Sequence, residues 1–402
     1  MKVQGKIQSA NGIAFLFAFT YMISYMTRIN FGAIVSEMER STGISRALLS
    51  MSLTGAFVTY GVGQIISGIL GDRFSPKKLV TLGLSVTVCM NLLIPLCKSP
   101  YAMMGVWCIN GFAQAFMWPP ILRMMVMLLE GEEYARAAAK VSWGSSAGTI
   151  AMYLLSPVMI SWLGWRSVFV MSAVFGIVGI LIWNRFAWVP VQVETEATPK
   201  SKPSAKGLLS PMMLLIMLAI VMQGMLRDGI TTWMPSYIGE TFQLSSVISI
   251  LTGVILPVFS ILCVQASSSL YRRFFPNPML CAGVIFAGGA VSALALYFLP
   301  SASAPLSALL AAVVTGCMHG VNFMLVSILP RFFQRYGNTS TASGVLNACT
   351  YVGAASSTYG IAVLSDRIGW QSTIGIWFVV ALIGTVLCLV TVKSWGRTHS
   401  GK

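Results

Sequence analysis

Two arginines lie inside long apolar stretches of the chain, where a charged side chain is costly. Arg28 and Arg227 each stand well within a run of mostly apolar residues. An arginine at the centre of a bilayer costs at least about 2.5–3.5 kcal/mol on insertion scales, so such a residue marks a functional site by default. Its planar guanidinium can donate two parallel N–H groups to a carboxylate or phosphate. The two arginines therefore predict an anion site near the membrane midplane.

The alternative is that the arginines form structural ion pairs. Asp228 is the obvious partner of Arg227 because it is the next residue. Adjacent side chains on a helix, however, leave the backbone about 100° apart, which favours the anion site. Arg28 has no acidic residue near it in its own stretch before Glu37.

Tyrosines and other polar residues recur at helical spacing near these arginines. Tyr21, Tyr25 and Arg28 are spaced i, i+4 and i+7, so they form one stripe, and tyrosine can donate to an anion. The same spacing joins Asn110 with Gln114, Gln223 with Arg227, Thr315 with His319 and Asn322, and Asn347 with Tyr351. We predict that His319, Asn322 and Tyr351 also line the site. The alternative for each polar residue is an interhelical hydrogen bond.

His319 bears on how transport across a membrane would be driven. It is the only histidine in an apolar stretch, and it could relay protons or act as a neutral hydrogen-bonding group. Asp228 is the only acidic residue deep in such a stretch. Proton-driven carriers bury Asp, Glu or His chains, whereas exchange of one anion for another needs none. The sequence therefore favours exchange.

Membrane-spanning helices must position these residues, because the composition excludes a soluble fold. Of 402 residues, 56% are hydrophobic and 9% are charged, against about 45–50% and about 25% in soluble domains. A spanning helix needs about 20 apolar residues, so the sequence predicts an all-α integral membrane protein with about twelve spans. The predicted spans are residues 10–35, 46–70, 79–97, 101–128, 134–161, 167–188, 211–238, 245–270, 278–299, 303–330, 339–364 and 371–392.

The charges and cysteines exclude several other classes of protein. The net charge of +15 comes from short runs between apolar stretches rather than from one basic face, so we expect no nucleic-acid partner. Eight cysteines without a C-x-x-C pair indicate free thiols rather than disulfides or a zinc site. We find no nucleophile–base pair or carboxylate dyad in the spans, so we predict no catalytic group, metal or cofactor.

The sequence divides into two similar halves. "MTRIN" around Arg28 matches "MLRDG" around Arg227, "DRFSP" after Gly71 matches "RRFFP", and "LGWRS" matches "IGWQS", at offsets of about 200 residues. Duplicated six-helix units are a transporter architecture, with the site where the two repeats meet. We therefore predict pseudo-symmetric halves at residues 1–190 and 211–402, joined by a polar, cytoplasmic linker at residues 191–210.

Basic residues set the orientation. With the N-terminus inside, the inside segments carry nineteen Lys and Arg and the outside segments five. This bias predicts that both termini are cytoplasmic. The cytoplasmic loop after the second span contains Gly68, Asp72 and Arg73, and Gly68 would allow close approach of another helix. Asp72 could lie at a helix N-terminus or pair with a cation such as Arg136.

This loop resembles the signature of the major facilitator superfamily between spans 2 and 3. The resemblance implies that Gly68, Asp72 and Arg73, with Arg136 as a candidate partner, belong to a conformational latch. The chain also resembles the organophosphate:phosphate antiporter family over nearly its whole length. The resemblance rests on five motifs that occur in the same order: "YMISYMTRINF", "WPP", "LGWR", "MLRDGITTWMPSYI" and "IGWQ". The resemblance implies that Arg28 and Arg227 bind a phosphoryl group and that Tyr21 and Tyr25 line the site. Two cations of the glycerol-3-phosphate carriers are replaced here, by Gln64 and Ala147. We keep Gln64 as a candidate site residue.

We therefore predict a secondary carrier of an organic or phosphorylated anion, which works by alternating access and anion exchange in a bacterial inner membrane. Its partners would be a small anion and the lipid bilayer, and we expect a monomer. Two alternatives remain open. One is a proton-coupled carboxylate symporter that uses His319 or Asp228, and the other is a transporter-like membrane sensor that binds an anion without carrying it.

Overall fold

The computed structural model describes residues 9–44, 46–188, 210–244, 255–299, 303–336 and 339–399, and every regular element in these ranges is helical. The all-α prediction is confirmed. The helices are α1 (Ala10–Ala33), α2 (Val35–Thr42), α3 (Arg46–Arg73), α4 (Pro76–Leu93), α5 (Pro100–Gln114), α6 (Trp118–Leu128), α7 (Gly131–Leu163), α8 (Arg166–Phe186), α9 (Pro211–Phe242), α10 (Ile255–Arg273), α11 (Pro278–Phe298), α12 (Ala304–Asn322) and α13 (Thr339–His399). A π-helical turn (Phe323–Ile328) and a 3-10 helix (Leu329–Tyr336) follow α12.

Within the described ranges, ten helical segments are long and apolar enough to cross a membrane. They overlap ten of the twelve predicted spans, and the first part of one of these, residues 245–254, lies outside the described residues. The remaining two predicted spans fall on α5 with α6 and on the first part of α13. The span predicted at residues 101–128 is not one helix, because it is interrupted between Gln114 and Trp118. Pro119 and Pro120 follow the interruption, and proline cannot donate the hydrogen bonds that would continue a helix.

Two equivalent turns support the internal repeat. Gly164 ends α7 with φ 77° and ψ 173°, and Gly369 interrupts α13 with φ 75° and ψ 169°. Each glycine precedes a tryptophan in the repeated "LGWRS" and "IGWQS" motifs. Only glycine adopts this backbone conformation without strain. The repeated motif is therefore a repeated backbone turn, and it separates the last two predicted spans within α13.

The chain forms two compact units. Unit 1 comprises Met1–Pro203 and Arg331–Val345, and unit 2 comprises Ser204–Pro330 and Leu346–Lys402. In unit 1, α1 packs chiefly on α7 and α8, and α3 packs on α5. In unit 2, α12 packs on α9, α10 and α11. Sequence order places Arg331–Val345 in the second predicted half, whereas its contacts place it in unit 1. The predicted linker lies outside the described residues except for residue 210.

Candidate functional site

In unit 1, Arg28 lies against two tyrosine rings. Its guanidinium carbon is 4.1 Å from the ring centroid of Tyr25, on the same helix, and 4.9 Å from that of Tyr60 on α3. Arg28 is half-buried and Tyr60 is buried. An aromatic ring stabilises a cation electrostatically but does not cancel its formal charge. Both distances lie within the roughly 6 Å range of a cation–π interaction.

The aromatic contacts extend from Arg28 along α1. The ring of Tyr21 is 5.2 Å from that of Tyr25 and 5.2 Å from that of Trp118 at the start of α6. The structure thus brings Tyr21, Tyr25 and Arg28 together with two aromatic residues that were not predicted from the sequence. For Tyr60 a signal was present, because it stands four residues before Gln64 on α3.

Gln64 is fully buried, one turn after Tyr60. Its amide nitrogen donates to the carbonyl oxygen of Ala115 at 3.3 Å. Ala115 lies in the interruption between α5 and α6, where backbone carbonyls lose their helical partners. Gln64 therefore satisfies the chain at this break, and its role in binding a substrate stays a prediction.

Asn110 and Gln114 of α5 form hydrogen bonds with α1. Gln114 accepts from the Ser24 hydroxyl at 2.6 Å and donates to Thr27 Oγ1 at 2.9 Å, and Asn110 donates to the Thr27 carbonyl at 3.3 Å. Asn30, one turn after Thr27, donates to Asn91 at 2.7 Å and to Ser172 at 3.0 Å. These contacts are interhelical hydrogen bonds among buried groups, and they fix the helix that carries Arg28.

In unit 2, Arg227 forms an ion pair with the next residue. Its Nε donates to Oδ1 of Asp228 at 2.9 Å and its Nη2 donates to Oδ2 at 2.8 Å. This corrects the expectation that the two side chains point apart. The Cα–Cβ bonds of neighbours diverge on a helix, but the three methylene groups of arginine let its guanidinium turn back to the adjacent carboxylate. The sequence alternative of an ion pair is therefore present in the structure.

His319 lies on α12, close enough to Arg227 and Asp228 to interact with both electrostatically. The three residues place a cation, an anion and an imidazole in one cluster. In the same helix, the hydroxyl of Thr315 donates to backbone carbonyls of its own helix, Ala311 at 3.2 Å and Ala312 at 3.1 Å. Of Thr315 and His319, which the helical spacing grouped together, only His319 interacts with the charged pair.

Asn322 belongs to a polar group that joins three helices of unit 2. Its amide donates to Gln223 of α9 and to Thr350 of α13, both at 3.4 Å, and the Thr350 hydroxyl donates to Gln223 at 3.4 Å. Gln223 also donates to the Met318 carbonyl at 3.1 Å. Tyr351, the residue after Thr350, is half-buried. A role for Asn322 or Tyr351 in binding a substrate stays a prediction.

Asp72 caps a helix, as one of the two sequence hypotheses allows. Its carboxylate accepts from the backbone N–H of Ser340 at 2.9 Å and of Thr341 at 2.6 Å, both in the first turn of α13. A carboxylate there satisfies orphan donors and interacts favourably with the helix dipole. Gly68 makes the approach possible, since a side chain at this position would meet the backbone of Ser340 and Thr341.

The cation beside Asp72 is Arg123 of α6, not Arg136. Arg123 Nε is 4.0 Å from the Asp72 carboxylate, and its guanidinium also donates to the carbonyls of Gly71 and Phe74. Arg136 instead lies 3.7 Å from Glu132 on its own helix. Arg73 is exposed. Sequence order could not distinguish the two arginines, because the choice depends on how α6 and α7 pack.

The repeat does not reproduce this arrangement in unit 2. Arg272 occupies the position that corresponds to Asp72, at an offset of 200 residues. It donates to the hydroxyl of Ser268 one turn earlier, at 2.8 Å. Among the described residues, no group of three or more His, Cys, Asp or Glu side chains could hold a metal ion.

The long apolar helices define a multi-pass membrane protein. The family model of the Major Facilitator Superfamily matches residues 17–358, and the chain belongs to that superfamily. The solved structure of the proton:xylose symporter XylE has the same fold, with a TM-score of 0.77 at 13% identity over 96% of this chain and 95% of that one. The superfamily and this neighbour are transporters, not enzymes.

Several curated proteins are similar in sequence. The glycerol-3-phosphate transporter of Bacillus subtilis is 24% identical over 91% of this chain and 87% of its own length. The membrane sensor protein UhpC of Escherichia coli is 23% identical over 92% and 89%. A probable hexose phosphate transport protein of Chlamydia muridarum is 25% identical over 46% of this chain. The match spans about two fifths (41%) of that relative's length.

Proposed function

We propose that the protein is a secondary carrier that exchanges organic or phosphorylated anions by alternating access, with Arg28 and Arg227 as anion ligands. The observation that carries the proposal is the placement of Arg28. Its guanidinium lies within a predicted span, against the rings of Tyr25 and Tyr60 at 4.1 and 4.9 Å. This contact stabilises a cation in a membrane and leaves it the positive charge that attracts an anion.

The substrate class follows from the chemistry of the ligands and from the relatives. Guanidinium groups bind phosphate and carboxylate by the same paired donors. Two of the relatives are named for glycerol-3-phosphate and hexose phosphate, which supports a phosphate ester. Two neutral residues, Gln64 and Ala147, stand where the glycerol-3-phosphate carriers have cations. We therefore include carboxylates among the proposed substrates.

We also propose where the carrier is located and which residues gate it. We place the carrier in a bacterial inner membrane with both termini in the cytoplasm, on the distribution of lysine and arginine. Gly68, Asp72 and Arg123 act as the latch, because they hold the first turn of α13 at one end of α3. Release of Ser340 and Thr341 from Asp72 would accompany the change in access.

The test is uptake of labelled phosphate into proteoliposomes with and without phosphate inside. Exchange requires that internal phosphate stimulates uptake. Arg28→Lys keeps the charge but loses the paired donors, so we expect uptake to fall by about tenfold or more. Arg185→Lys, at an exposed position at the end of α8, is the matched control and should transport normally. Saturable binding of the anion without any flux would contradict the carrier and indicate a sensor.

A proton-coupled symporter is a second candidate, favoured by one observation. His319 lies close enough to the Arg227–Asp228 pair to interact with both residues electrostatically, and an imidazole can relay a proton. Under this alternative, an inward proton gradient would drive uptake into vesicles without internal anion, and a protonophore would abolish it. His319→Gln should remove the pH dependence. Uptake that is equal with and without the gradient would eliminate this candidate.

A further inference from the structure

Asp228 occupies the donors of Arg227 that an anionic substrate would use. The pair Nε and Nη2 forms one edge of the guanidinium, and both atoms donate to Asp228, at 2.9 and 2.8 Å. A phosphate or carboxylate ligand takes the same edge by the same geometry. The carboxylate side chain is also the more accessible partner, with 32% of its surface exposed against 12% for Arg227. An anion that approaches this edge must therefore displace Asp228.

The pair is local, because both residues are neighbours on α9. It requires no contribution from another helix, so it can persist while other helices of the protein change their contacts. The helix is continuous through this region, and the hydroxyls of Thr231 and Thr232 donate to the carbonyls of Arg227 and Asp228 at 2.6 and 2.7 Å. The carboxylate thus stays available to Arg227 whenever no other anion is bound.

We propose that Asp228 is an internal substitute for the transported anion, and this inference rests on the proposed function. When the carrier is empty, Asp228 neutralises Arg227, and when an anion binds, it replaces Asp228 in the guanidinium edge. Neutralisation matters because an unpaired cation disfavours closure of a water-filled site in a membrane. The empty carrier can therefore reorient, so that exchange is not obligatory and the protein also catalyses net transport.

A carrier whose arginines are neutralised only by substrate would behave differently from this chain. In that case the empty form would be trapped on one side, and uptake would require a counter-substrate. In this chain the Asp228 carboxylate neutralises Arg227, so that no counter-substrate is needed for this purpose. Arg28 is stabilised by the rings of Tyr25 and Tyr60 in both cases. Removal of the Asp228 charge should therefore restore obligatory exchange.

The experiment compares net uptake and exchange in proteoliposomes at equal pH on both sides. The probe is whichever of labelled phosphate, glycerol 3-phosphate or glutamate the wild type exchanges fastest. The wild type should take up the probe into vesicles without internal anion. In Asp228→Asn, net uptake should fall by about tenfold or more, while exchange persists with a severalfold lower KM because the competing carboxylate is gone. Asp228→Glu, which keeps the carboxylate, should retain net uptake.

The outcomes distinguish the inference from the function on which it rests. A wild type that exchanges the probe but shows no net uptake would overturn the inference and leave the carrier intact. Net uptake by Asp228→Asn equal to that of the wild type would overturn it as well. If the wild type neither exchanges nor accumulates any of the three probes, the proposed function fails and the inference fails with it. Exchange by Asp228→Asn serves as the internal control for folding.

Discussion

The two arginines occupy equivalent positions in the sequence repeat, but their surroundings differ in kind. Arg28 lies against the rings of Tyr25 and Tyr60, while Arg227 lies in a two-point ion pair with Asp228. Rings stabilise a cation and leave its charge in place, whereas a carboxylate cancels the charge. The repeat has thus kept the cation in both units and changed the way in which each unit holds it.

Arg28 and Arg227 therefore differ in whether their charge is already neutralised by the protein. The charge of Arg28 is stabilised by the rings of Tyr25 and Tyr60 but not cancelled. The Nε and Nη2 donors of Arg227, in contrast, are occupied by Asp228. Asp72 and Arg272 show the same departure from symmetry, since an acid in unit 1 corresponds to a base in unit 2. Duplication supplied the framework, and the chemistry then diverged.

The largest effect should come from removing each arginine in turn. We expect Arg227→Ala and Arg28→Ala both to abolish transport, because loss of one partner from a buried charge contact costs about 2–5 kcal/mol of binding. Only Arg227→Ala leaves a carboxylate, Asp228, without its cation. It should therefore lower the stability of the protein by about 2 kcal/mol more than Arg28→Ala does. Thermal unfolding in detergent measures this difference.

The double variant Arg227→Ala/Asp228→Asn separates stability from transport. It removes the stranded carboxylate, so its unfolding temperature should return towards that of the wild type while transport stays absent. If the double variant is no more stable than Arg227→Ala, then the ion pair contributes nothing measurable and the comparison between the two arginines loses its basis.

An intermediate effect should follow from copying the carboxylate into unit 1. Ile29 occupies the position after Arg28 that Asp228 occupies after Arg227. Ile29→Asp would let a carboxylate compete for the guanidinium, and we expect the apparent affinity for the anion to fall about tenfold, or about 1.4 kcal/mol. Ile29→Asn, of nearly the same shape and without charge, should bind within about twofold of the wild type. Competition assays in proteoliposomes compare the two variants.

The sequence was sufficient for the framework, because its signals are local. Runs of apolar residues predict the spans, and the repeated "LGWRS" and "IGWQS" motifs predict a duplicated unit. The structure adds that Gly164 and Gly369 in these motifs form turns with nearly identical backbone angles. Pro119 and Pro120 are a local signal for the break between α5 and α6, but the span predicted at residues 101–128 runs through them as one continuous helix. In contrast, the placement of Arg331–Val345 in unit 1 depends on contacts between distant parts of the chain, which no local pattern encodes.

The site was predicted in part for the same reason. Arg28, Tyr21 and Tyr25 share one helix, so helical spacing was enough to group them. Tyr60 and Trp118 come from other helices, and only packing reveals their contacts with this group. The Arg227–Asp228 pair was considered as an alternative but not favoured, because a helical wheel describes the direction in which side chains leave the backbone and not where the end of a long side chain lies.

The smallest effect, and the sharpest probe of the aromatic environment, should come from Tyr60. Its ring contacts Arg28 from α3, and the side chain is buried. Tyr60→Leu removes the ring, and a cation–π contact of about 1 kcal/mol corresponds to an affinity for the anion about fivefold weaker. Tyr60→Phe keeps the ring and should stay within about twofold.

Anion-dependent shifts in the unfolding temperature measure both Tyr60 variants, and they also separate ring from hydroxyl. If Tyr60→Phe is weakened as much as Tyr60→Leu, then the hydroxyl rather than the ring acts on the anion. Unit 1 would then hold an anion by a hydrogen-bond donor, as we propose for Arg227 in unit 2, and the two arginines would be more alike than their surroundings indicate.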